Sequence, residues 1–270
     1  MRRAWPESGR VRAARAVTRG VRLVGLRVVG IGLSVVARMA GARRMPPEPL
    51  TRWWSTQLMR VLGIEVTVIG APPARGHLIV ANHVSWLDIN VMGSCVPTRF
   101  ISKSEVRRWP VAGTLAIACG TFFIHRGKGG SKPLLAEITP FLAGGGSVTL
   151  YPEGTTTIGE DVLPFHARLF AAALDAGVPV QPVALRFSAG DGGARIAPFV
   201  GDDDLVSHIG RLLLNRRLAV TVTFCEPVTT QGATRETLAA TARDRIRAAI
   251  VPRRPRLPPE VEAPPVALAA

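Results

Sequence analysis

From about residue 63 to residue 250 the chain alternates short apolar runs with stretches of helical period, and this rhythm narrows the choice of fold most. The apolar runs read as strands at Ile64–Ile69, His77–Ala81, Arg99–Ser102, Thr121–His125, Ser147–Tyr151, Val180–Phe187 and Leu218–Phe224. Helices are expected at Ser85–Cys95, Pro133–Leu142, Phe165–Asp175, Leu205–Leu214 and from Arg235 to Ile250. Such alternation builds an α/β domain: a mixed, mostly parallel sheet flanked by helices. Residues 63–250 form that domain. Residues 1–62 read as a basic, apolar helical membrane anchor, and residues 251–270, with six prolines and little to pack, as a disordered tail.

The anchor is suggested by where the charge lies. Of a formal net charge of +15, two thirds sits in residues 1–45, where eleven arginines face one acid, Glu7. Genomic bias toward arginine explains part of the total but not its concentration at one end. A basic segment beside an apolar one suits an anionic bilayer surface better than nucleic acid. Val28–Ala37 is uncharged for only ten residues, whereas a comfortable span needs roughly 20. Snorkelling of Arg27 and Arg38 stretches it toward a marginal span. Beyond Pro46-Pro47 comes a second patch, Trp53-Trp54 with Leu58–Leu62. An in-plane or re-entrant anchor, a single span and a packing helix all remain open, and localisation to the cytoplasmic face of an inner membrane is expected. Three widely spaced cysteines, Cys95, Cys119 and Cys225, make neither a disulfide framework nor a zinc pattern, in keeping with a reducing location.

The segment Asn82-His83-Val84-Ser85-Trp86-Leu87-Asp88 leaves a strand and enters a helix. Histidine there suits general-base work, and a carboxylate can fix its tautomer. On a regular helix five residues advance about 500°, so His83 and Asp88 would not share a face. Ser85-Trp86-Leu87-Asp88 also fits a capping box, with Ser85 as the cap and Asp88 at the third helical position. That cap leaves His83 in a turn outside the helix, where it can fold back onto Asp88.

Three further blocks follow. They are Gly120-Thr121-Phe122-Phe123-Ile124-His125-Arg126, Tyr151-Pro152-Glu153-Gly154-Thr155 and Val178-Pro179-Val180-Gln181-Pro182-Val183. With Asn82-His83-x4-Asp88 at their head, the four blocks resemble in order the glycerolipid acyltransferase family that includes 1-acylglycerol-3-phosphate acyltransferase. The resemblance covers roughly residues 60 to 225. It implies transfer of a fatty acyl group from acyl-CoA or acyl carrier protein to a lysophospholipid hydroxyl, with His83 and Asp88 catalytic and no acyl-enzyme. It implies acceptor binding by Lys103, Gly120, Arg126, Glu153, Gly154 and Thr155, with no cofactor; no metal is expected either, because the histidines lack ligand-like spacing with the cysteines. Taken alone, Arg126 reads as a surface arginine, Lys103 as a solvated lysine and Glu153-Gly154 as a strand-to-loop turn. The family often carries arginine after Glu-Gly-Thr, where this chain has Thr156. Val162-Leu163-Pro164-Phe165 through Leu169-Phe170 resembles a bacterial subgroup that includes lyso-ornithine lipid acyltransferases. The expected acceptor is thus 1-acylglycerol-3-phosphate, giving phosphatidic acid, with lyso-ornithine lipid or another lysolipid as the alternative.

Two signals are set aside. Gly127–Lys132 lacks the earlier glycine of a phosphate loop, since position 122 is phenylalanine. Asp202-Asp203-Asp204 precedes a helix, where acids favour the N-terminal dipole. A non-catalytic basic membrane- or nucleic-acid-binding protein is the competing class, although no nucleic acid is expected.

Overall fold

The computed structural model describes residues 8–39, 47–74, 76–109, 112–124, 131–188 and 196–251. Arg126, His125, the Gly127–Gly130 turn and the tail beyond Val251 lie outside them. Two helices open the chain, α1 (Gly9–Met39) and α2 (Pro47–Leu62), followed by strand β1 (Ile64–Ile69). Next come β2 (Leu78–Ala81), α3 (Leu87–Cys95), β3 (Arg99–Lys103), a 3-10 turn (Ser104–Arg108), α4 (Ala112–Ala118) and β4 (Phe122–Ile124). Then follow α5 (Ser131–Ala143), β5 (Val148–Leu150), a second 3-10 turn (Ala167–Phe170), α6 (Ala171–Ala176) and β6 (Val180–Phe187). The last elements are α7 (Leu205–Leu214), β7 (Leu218–Phe224) and α8 (Arg235–Ile250).

The seven strands form one sheet in the order β1-β7-β6-β2-β5-β3-β4, with every neighbouring pair parallel except β6 and β7. The expected α/β sheet is therefore present. Strand β2, Leu-Ile-Val-Ala, is buried on both faces, as central parallel strands are when helices cover them on either side. Its alternate residues serve different layers. Ile79 and Ala81 face α2 and α3, while Leu78 and Val80 face α5, α6 and α8.

Several expected boundaries move by one or two residues. The helix expected over Phe165–Asp175 begins as the 3-10 turn at Ala167, because His166 N–H is held by Pro152 O at 2.9 Å. The uncharged stretch Val28–Ala37 belongs to a 31-residue helix running from Gly9. Leu23 and Leu26 of α1 are buried, whereas Val17, Val21, Val24, Val28 and Val35 are exposed along one stripe. Arg15 and Arg19, read from sequence as membrane-facing charge, instead donate to carbonyls at the end of α7: Arg15 to Leu214 O at 3.2 Å, Arg19 to Arg216 O at 3.1 Å and to Asn215 O. Two cations thus close the negative end of that helix. At its other end Asp204 accepts from Ser207 N at 2.9 Å, the role expected for the acidic run. No helix among the described residues is long and apolar enough to cross a membrane.

Candidate active site

Neighbouring strands β2 and β5 run parallel with Val80 beside Leu150, so the turn after β2 and the loop after β5 emerge side by side. Carboxyl ends of strands in an open α/β sheet are where ligands gather. The first turn supplies His83 and Asp88, and the second supplies Tyr151 to Thr157. Lys103 closes the next strand, β3.

The expected capping box is rearranged. Helix α3 starts at Leu87, preceded by Trp86, which makes no side-chain cap, and the Ser85 hydroxyl stands 3.4 Å from Leu87 N. The Asp88 carboxylate reaches back instead. Its Oδ2 accepts from Val84 N at 2.7 Å, Ser85 N at 2.8 Å and His83 Nδ1 at 2.8 Å. An ionised carboxylate only accepts, so Nδ1 carries the ring proton and Nε2 keeps its lone pair. Asp88 is fully buried, whereas the His83 side chain stays 19% exposed and reachable. Asn82, given no role from sequence, pairs with β6 as a strand residue would. Its Oδ1 accepts from Leu185 N at 2.8 Å and its Nδ2 donates to Leu185 O at 2.9 Å. That double bond anchors the strand end from which His83 departs.

The loop after β5 grips the His83 backbone from both sides. Glu153 Oε1 accepts from His83 N at 2.7 Å and Oε2 from Leu163 N at 2.9 Å, while Thr157 N donates to His83 O at 2.8 Å. Burial raises the Glu153 carboxyl pKa against the lowering effect of those two amides. Both Glu153 oxygens thus accept from backbone amides, and the side chain expected to bind substrate also holds the His83 backbone in place. Gly154 turns with φ +71°, where a Cβ would also stand 3.2 Å from the His166 ring. The Tyr151 ring stacks on His83, with centroids 4.2 Å apart and planes inclined by 17°. Its hydroxyl, raised well above the usual range by burial and then by Asp88, has no partner among the described residues, and nor does Asp88 Oδ1.

A second layer lies behind the turn. Trp86 Nε1 donates to Nδ1 of the buried His208 at 2.9 Å, and His208 Nε2 donates to Ile196 O at 2.9 Å. Those bonds fit the neutral ring, and burial lowers the His208 pKa. Phe199 N donates to Val84 O at 3.0 Å, and Thr156 Oγ1 donates to Phe199 O. Thr156 therefore spends its hydroxyl on the scaffold.

His83, Lys103, Glu153, Gly154 and Thr155 line one cavity of about 1940 Å³. Its mouth carries Lys103, Glu105 and Arg168. Its interior is largely apolar, with Leu50, Leu58, Leu62 and Phe100, and α1 closes it through Leu23, Gly30 and Ser34. Gly120 is not part of the lining. It makes a turn with φ +67° where a Cβ would stand 2.9 Å from Arg99 Nε, which itself pairs with Glu48 at 2.9 Å. Asn82, Thr157 and His208 were missed in sequence because their partners are remote.

The acyltransferase family model matches residues 64–186. The chain is 45% identical over 241 residues to the lyso-ornithine lipid O-acyltransferase of Pseudomonas aeruginosa, covering 87% of this chain and 93% of that protein. It is 37% identical over 164 residues to the 1-acyl-sn-glycerol-3-phosphate acyltransferase of Neisseria gonorrhoeae, covering 60% of this chain and 64% of the relative. The crystal structure of the 1-acyl-sn-glycerophosphate acyltransferase from Thermotoga maritima shares the fold. Its TM-score is 0.66 at 21% identity, over 88% of this chain and 96% of that one.

Proposed function

Because the chain belongs to the glycerolipid acyltransferase family, we propose that it moves a fatty acyl group onto the free hydroxyl of a lyso-ornithine lipid. The observation that carries this acceptor is the 45% identity along nearly the whole of a lyso-ornithine lipid O-acyltransferase. Thr156 supports it, since its hydroxyl is committed to Phe199 and leaves no cation at that position for a phosphomonoester. The order of acceptors expected from sequence is thereby reversed. Transfer to 1-acylglycerol-3-phosphate remains the second reading, favoured by the Neisseria relative and by Lys103 at the cavity mouth.

In the proposed reaction His83 Nε2 takes the acceptor hydroxyl proton as the oxygen attacks the thioester carbonyl of acyl-CoA or acyl carrier protein. The new C–O bond forms, the C–S bond breaks, and the thiolate leaves with the proton that His83 returns. Asp88 stabilises the transient imidazolium through Nδ1. The acyl chain lies in the apolar cavity, and Lys103 meets the acceptor headgroup. The exposed valine stripe of α1 rests in an anionic membrane surface at its cytoplasmic face.

Purified protein offered lyso-ornithine lipid and 1-acylglycerol-3-phosphate, each with labelled acyl donor, tests the acceptor. Turnover of the aminolipid well above that of the phosphate is expected. Turnover of the phosphate alone would restore the second reading, and turnover of neither would end the acyl-transfer proposal.

A further inference from the structure

We propose that Tyr151 is a positioning residue for His83, its ring holding the imidazole by one face and steadying the positive charge gathered there during proton transfer. The inference rests on the reading of His83 as the general base.

Asp88 grips the imidazole at one point, Nδ1, in the plane of the ring. A single in-plane hydrogen bond leaves the ring able to rock about its own axis, and rocking swings Nε2 away from the acceptor oxygen. A stack at 4.2 Å and 17° removes that freedom, because a rocking ring would strike the phenol face. The adjacency of β2 and β5 builds the contact. With Val80 level with Leu150, the residues that follow each strand are delivered to the same place. His83 is then held three ways: Asp88 at its edge, Tyr151 on its face, and Glu153 and Thr157 on its backbone.

The face contact also has an electrical side. The π-cloud of a phenol ring is negative, so it attracts a cation above it more than a neutral ring. The imidazole is neutral before transfer and positive during it, so the attraction grows at the moment the barrier is crossed. The hydroxyl is not needed for either effect, and no described protein group holds it. The ring should therefore matter and the hydroxyl should not.

The test uses the full chain in detergent-lipid micelles, comparing wild type, Tyr151→Phe and Tyr151→Leu with lyso-ornithine lipid and labelled acyl-CoA. Tyr151→Leu is expected to lower kcat about 3- to 30-fold, with KM for either substrate little changed. Tyr151→Phe is expected to restore the wild-type kcat. A Leu variant with undiminished kcat would overturn the proposal, as would a Phe variant as impaired as Leu. NMR of the His83 ring supplies a readout that needs no turnover. In wild type and Tyr151→Phe its ring protons should be shifted upfield by the stacked ring and its nitrogens should report Nδ1–H. No upfield shift in wild type would also overturn the proposal, even if Tyr151→Leu fails to fold. Loss of acyl transfer by wild type with the upfield shift intact would instead strike the proposed function and leave the ring contact standing.

Discussion

On one face of the sheet α5, α6 and α8 close over Leu78, Val80 and Val148, and residues such as Ile138, Leu238 and Ile246 are wholly buried. On the other face α2 and α3 pack against Ile79 and Ala81, and a large cavity lined by α1 and α2 begins there and runs past the strand ends to Leu150, Leu169 and Arg235. The first face fixes the strand ends to which His83 and Tyr151 are attached. On the proposed reading, the second yields packing so that a substrate chain has somewhere to lie. One sheet would then support a rigid reaction point and a hollow binding site a few residues apart.

Five changes test that contrast, beginning with the largest effect. His83→Ala should lower kcat about 10²- to 10⁴-fold while the thermal unfolding midpoint holds, as read by labelled transfer and by melting. Undiminished kcat would detach the rigid point from the chemistry. Ile246→Ala, on the filled face, should cost about 2–5 kcal/mol in urea unfolding, with kcat retained where the protein is folded. Leu23→Ala, on the cavity wall, should cost clearly less, because some of its neighbours are already lacking. Equal costs would mean that the two faces are packed alike.

On α1, changing Val17, Val24 and Val28 together to Glu should weaken binding to anionic vesicles at least about tenfold, since each removes apolar surface from lipid and sets a carboxylate against anionic headgroups. Flotation equal to wild type would take the stripe out of the membrane proposal. Deleting residues 1–45 is the poorer experiment, because it also takes Leu23 and Leu26 out of the core and uncovers the end of α7. The smallest effect concerns His208. Its folded pKa is depressed, so the unfolded chain takes up the proton first and stability falls as pH drops from about 6.5 through the folded value. His208→Gln, whose amide can still accept from Trp86 and donate to Ile196 O, should flatten that slope in denaturation at several pH values. A slope unchanged by the substitution would assign the acid sensitivity elsewhere.

Much of this arrangement was legible in the sequence where the signal was local. Strands β1, β6 and β7 appear at their expected bounds because each is an apolar run between clear breaks. The turn that brings His83 to Asp88 followed from a helix start that excludes His83, although the helix begins two residues later than expected. What escaped was non-local. Glu153 looked like a ligand at a strand end, yet it holds His83 N–H, seventy residues away. Arg15 looked like membrane charge, yet it reaches a carbonyl 199 residues away. Composition shows that such groups are charged. Only the fold shows what they meet.

The position of α1 has a consequence for how the reaction would be counted. One helix walls the cavity with Leu23 and Gly30 while its opposite stripe faces outward. With that stripe seated in lipid as proposed, acceptor and product pass sideways between bilayer and cavity without crossing water. The rate would then follow the mole fraction of acceptor in the surface rather than its bulk concentration. Adding inert lipid at fixed total acceptor should slow turnover, whereas adding buffer should not.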